Sequence, residues 1–271
     1  MARRWSGRLC DCVVVDLNTQ HDYCAVDGAD PVRNIETLVP ALRQVVAWAK
    51  WYGAPVISSV ESHRSSELVN DAHAGCCRDG SPGQRKIDFT VFPHSARIEV
   101  DNTLCCPLDL FRQYQQVLFR KRSDDLLGNP KADRFLNQLP ASEFVLFGVG
   151  LESSIKALAL TLLARHRNTT IVLDACGYWN KSAADLAVRQ VLAKGAKLTT
   201  VGELLRRKIA RGVRDQDSHS KKVPVRTGTK RRGRCRSQAS PKNQPTESDK
   251  TKRPATLPRH EGSSRQHKTD S

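Results

Sequence analysis

The chain has 271 residues, with 44 Lys+Arg against 28 Asp+Glu, nine Cys and 6% aromatic content. Its longest apolar run is the eight residues from Phe144 to Leu151, where a membrane-spanning helix needs about 20. The length excludes a disulfide-stapled miniprotein and fits one domain of roughly 200 residues with an appendage.

The basic start, Met1 to Arg8, is followed only by Val13-Val14-Val15 before Asp16, whereas an export signal needs about 7–15 apolar residues. Cys12 to Asp16 reads as a short strand, apolar on both faces, as burial in a parallel sheet requires. Residues 34–50 carry Ile35, Leu38, Val39, Leu42, Val45, Val46 and Ala49 at helical spacing, with Asn34 as cap and Gly53 as stop. Pro40 predicts a kink there or a start delayed to Thr37. Pro55 to Val60 is a second strand, and 61–110 is rich in Gly and Pro and reads as loop. Strands then recur at 116–119, 144–147, 169–173 and 197–200, alternating with helices at 130–139, 152–164, 182–193 and 201–209. This alternation predicts a parallel sheet covered on both faces, an α/β fold.

Charge is concentrated at one end. Residues 211–271 hold 17 Lys+Arg and 6 Asp+Glu, with no Phe, Tyr or Trp and seven scattered apolar side chains. Such a segment cannot bury enough apolar surface to offset the entropy of ordering it. It reads as a disordered basic tail suited to weak, salt-dependent contact with nucleic acid or another polyanion, and 1–210 as the folded domain. The cysteines are odd in number, include the neighbours Cys76-Cys77 and Cys105-Cys106, and form no C-x-x-C. That pattern fits reduced thiols in a cytoplasmic protein.

Polar groups gather where strands end: Asp16, then Glu61-Ser62-His63, Arg120-Lys121-Arg122, Gly148-Val149-Gly150 and Asp174. Ligands of open parallel sheets bind outside the carboxyl ends of the strands. Asp16, Lys121 and the 148–154 turn are therefore candidates for one crevice. Each also has a plain structural reading, as a turn cap, a solvated lysine and a tight turn.

Four stretches in order resemble the isochorismatase-like hydrolases, the superfamily that includes nicotinamidases. They are Val14-Val-Asp16-Leu-Asn-Thr-Gln20-His-Asp22, Cys77-Arg-Asp-Gly-Ser-Pro-Gly83, Leu118-Phe-Arg-Lys121-Arg and Phe147-Gly-Val-Gly-Leu-Glu-Ser-Ser154-Ile. The resemblance implies a three-layer α/β/α sandwich with a mostly parallel six-stranded sheet in the order 3-2-1-4-5-6. It implies a catalytic Asp at 16, a Lys at 121 and the nucleophile at 154, with Gly150 and Ser153 in the oxyanion and substrate-binding turn. The family's amidases use a Cys where this chain has Ser154. A serine hydroxyl is much harder to deprotonate than a thiol. Three readings follow: a small-metabolite hydrolase that dispenses with a covalent nucleophile, a true serine nucleophile acting on an amide or ester, or a site that has lost catalysis and binds a ligand. Zinc, bound in some members, would fall here on Glu61, His63 and Cys76, with His73 as an alternative; no cofactor is otherwise required. Association into homo-oligomers is also implied by resemblance, and no membrane partner is expected.

Overall fold

Residues 12–64, 75–101 and 105–207 are described by the structure, a computed structural model. The segment 211–271 and His73 lie outside them. The strands are β1 (Val13–Leu17), β2 (Val56–Glu61), β3 (Ser95–Ile98), β4 (Gln116–Lys121), β5 (Phe144–Val149), β6 (Thr169–Gly177) and β7 (Lys197–Thr199). The helices are α1 (His21–Cys24), α2 (Ile35–Tyr52), α3 (Pro130–Gln138), α4 (Lys156–Ala164), α5 (Lys181–Ala193) and α6 (Val201–Arg206).

All seven strands are parallel, in the order β3-β4-β2-β1-β5-β6-β7. Without β3 this is the expected six-strand order; β3 is an added edge strand that the reading of 61–110 as loop did not foresee. Residues alternate between two cores, because successive side chains of a strand point to opposite faces. Val13, Val15 and Leu17 pack with Phe119, Phe135, Leu136, Leu158 and Leu162, under α3, α4 and α5. Val14 packs with Val56, Phe147, Leu38, Leu42, Val45 and Leu204, under α2 and α6. The result is three layers.

Local chemistry explains most boundaries. Pro130 opens α3, and the Asn129 side chain accepts from Lys131 N–H. Gly53 ends α2 in the left-handed region at φ 64. Helix α2 begins at Ile35, ahead of the predicted delay, and runs through Pro40; the proline removes one N–H bond near an exposed first turn. Asn34 does not cap it with its side chain. Instead Asn34 donates to Cys176 O (3.0 Å) and accepts from Tyr178 N–H (3.2 Å), tying the helix start to the end of β6.

Candidate functional site

Strand alternation decides which of the predicted residues meet. In the β1–β2 register Asp16 lies beside Ser58, and in the β2–β4 register Glu61 lies beside Lys121. Ser58 and Glu61 are three residues apart on one strand, so they face opposite sides of the sheet. Asp16 thus sits on the α2 side. Its carboxylate accepts from Thr19 Oγ1 (2.8 Å) and Ser58 Oγ (3.1 Å) and pairs with the buried Lys86 ammonium at 2.9 Å. Neither Lys121 nor Ser154 is among its partners.

Lys121 and Ser154 do come together, on the α3–α5 side. Ser154 lies in a π turn, Leu151–Ile155, that leads into α4, and it is 1% exposed. Its Oγ accepts from Asn18 Nδ2 (3.0 Å) and from Lys121 Nζ (3.4 Å). Asn18 is the residue that sequence reasoning missed. It follows β1 at φ 50, in the left-handed region that asparagine tolerates better than most side chains. That turn takes its side chain off the face that simple alternation would give it. Ser59 locks it from two sides: Asn18 N–H donates to Ser59 Oγ (3.0 Å), and Ser59 Oγ is paired with Asn18 Oδ1 (2.7 Å). The available signal was its position two residues past Asp16, just ahead of Gln20-His21-Asp22.

Lys121 Nζ is fully buried among four oxygens: Glu61 Oε2 (2.9 Å), Ser123 O (2.8 Å), Asp124 O (3.1 Å) and Ser154 Oγ. An ammonium has no lone pair, so Lys121 acts on Ser154 as a donor; four acceptors share its three protons, and the contact to Ser154 is the longest. Glu61 is equally committed. Its Oε1 meets His63 Nε2 (2.8 Å) and Tyr23 OH (3.1 Å). Burial pushes the Glu61 carboxyl up, but the Lys121 ammonium and the hydrogen bonds of His63 and Lys121 outweigh it and hold its pKa down at about 2.

The turn offers no free oxyanion donors at the two predicted places. Gly150 N–H donates to Gly177 O and Ser153 N–H to Gly150 O, both at 3.1 Å. Nor does a buried thiol take over the nucleophile's part. Burial pushes Cys24, against the Lys86 ammonium, and Cys76, aided by neighbouring carboxylates, up to about 12, and pushes Cys77 and Cys176 up as well; a reactive cysteine needs the opposite shift.

Glu61, His63 and Cys76 are not grouped here as a metal site. One carboxylate oxygen of Glu61 is held by an ammonium, and the other engages His63 and Tyr23. Among the described residues no three His, Cys, Asp or Glu side chains are grouped so as to hold a metal ion.

The isochorismatase-domain model matches residues 12–203. The chain belongs to the isochorismatase family. Curated protein sequences give no match. Among solved structures the chain is similar to the pyrazinamidase of Pyrococcus horikoshii in complex with zinc, at 16% identity and TM-score 0.56, covering 70% of this chain and 99% of that one. The nicotinamidase of Bacillus subtilis matches at 13% identity and TM-score 0.54, covering 70% of this chain and 99% of that one. The MAR1 ribonuclease of Caenorhabditis elegans matches at 13% identity and TM-score 0.50, covering 74% and 82%. These likenesses establish the α/β fold. Proteins named for such different substrates share it, so the chemistry has to be read from the side chains at the site.

Proposed function

We propose that this isochorismatase-family chain keeps the hydrolase scaffold but does not carry out nucleophilic hydrolysis, and that it acts by binding a small molecule. One observation carries the reading: Ser154 Oγ accepts from an amide and an ammonium, and no carboxylate touches it. A serine nucleophile needs a base within hydrogen-bond reach to take its proton. Asn18 cannot serve in either orientation of its amide, since a carboxamide accepts a hydrogen bond but does not hold a proton at neutral pH. Asp16, the base expected from the sequence, is engaged with Lys86 on the other face.

Ser154, Asn18, Lys121 and Glu61 then form a buried polar strut that fixes the π turn to β1, β2 and β4. Each of the four is hydrogen-bonded to another member of the group, and together they hold the turn rigid. The test offers the full chain a panel of small amides, esters and a vinyl ether. The expected result is no turnover of any of them above the uncatalysed rate. Turnover of any of them, whether or not Ser154→Ala removes it, would overturn the reading.

The tail carries a separate proposal, resting on charge alone: residues 211–271 contact polyanions through their excess of Lys and Arg. A cytoplasmic setting is supported by the described cysteines, all of them free.

A further inference from the structure

A cavity of about 310 Å³ lies at the β2–β4–β3 edge of the sheet. It is on the face opposite Ser154. Val60, Leu118 and Arg120 line it, alternating along their strands with Glu61, Phe119 and Lys121, and Arg97 of β3 pairs in register with Leu118. The lining combines apolar Val60, Leu118 and Val91 with four cations and two carboxylates.

Those charges are not equally spent. Lys86 is buried against Asp16, and Arg120 Nε holds Glu99 at 2.9 Å. Arg85 and Arg97 are exposed, and among the described residues their side chains make no hydrogen bond or ion pair. The unspent charge is therefore two guanidiniums against the one carboxylate of Asp88.

We propose that this cavity binds a small organic anion. Arg85 and Arg97 hold its carboxylate or phosphate, and its apolar body lies over Val60 and Leu118. Guanidinium forks match such anions with paired, charge-assisted hydrogen bonds. A volume of roughly 300 Å³ stands at the small end of ligand pockets, suited to a single ring. The Lys86–Asp16 pair below compensates itself, so no unpaired buried charge opposes the ligand. The assignment deepens the binding reading above, on which it rests.

Isothermal titration of the full chain with benzoate, phenyl phosphate and neutral benzyl alcohol tests it, on the wild type and on Arg85→Gln and Arg97→Gln. Both side chains are exposed and without partners, so the variants should keep the thermal midpoint. Benzoate or phenyl phosphate should bind, and comparing them identifies the preferred headgroup. Benzyl alcohol should not bind, and each substitution should weaken anion binding by about tenfold or more. Anion binding unchanged by both substitutions would belong to other basic surface, such as residues 211–271, and would overturn the site. Equal binding of benzyl alcohol, or no binding of either anion, would overturn it too. Failure of the non-hydrolytic reading is separately visible, as turnover of an amide, ester or vinyl ether.

Discussion

The Lys121–Glu61 pair governs the site at the level of single side chains. Both groups are buried. Removing one partner strands the other's charge, which costs about 3–5 kcal/mol. Lys121→Met should therefore destabilise the domain by roughly that amount in urea unfolding, whereas Ser154→Ala, which deletes one acceptor shared by two donors, should cost about 1–2 kcal/mol. Acid unfolding gives an independent check. Glu61 is lowered from 4.5 to about 2 on folding. A carboxyl lowered in this way adds stability above its unfolded pKa and loses it as pH falls through the folded value. The wild type should thus lose roughly 3 kcal/mol from this group between pH 4.5 and 2, and a Glu61→Gln variant should lack that part of the pH dependence. Lys121 and Ser154 were legible in the sequence because each ends a strand or opens a helix in a recognisable stretch. Asn18 was not. Its role depends on a single left-handed residue that breaks strand alternation, and residue-type patterns do not record that event. The same alternation sends Asp16 to the far face and Lys86 to its side.

Among the elements, β1 and β5 lie at the centre of the sheet. They pair over Val13–Leu17, with Leu17 against Gly148. Gly148 has φ 123, and an added Cβ there would fall on the Leu17 backbone. Gly148→Ala should break this pairing and cost roughly 3 kcal/mol or more, measurable as a lowered urea midpoint. Helices and central strands were legible because their apolar spacing is strong. Strand β3 was not: Ser95-Ala-Arg-Ile is four residues long, half-exposed and flanked by Pro93 and His94, so its pairing with β4 comes from tertiary context. The extent of β6 was also hidden. A register shift between Leu146 and Gly148 lets it continue past Asp174 to Gly177, and the Asp174 carboxylate there accepts from Val201 N–H at the start of α6. It serves as a structural anchor.

For the whole molecule, family membership follows from a match across residues 12–203, while activity turns on a few side chains within it. No described helix is long and apolar enough to cross a membrane. The net charge of +16 is carried mostly by residues 211–271. Deleting them should abolish retention on immobilised DNA, and retention of the full chain should fall steeply with salt, with a log–log slope of several units; retention that survives the deletion would place the polyanion contact on the domain. The central claim is that Ser154 has no base. Intact-mass spectrometry after incubation of the full chain with an alkyl fluorophosphonate, which marks activated serines, addresses it most directly. An unmodified mass, identical in behaviour to that of Ser154→Ala, is the predicted result. A stoichiometric adduct on Ser154 that the substitution abolishes would contradict it.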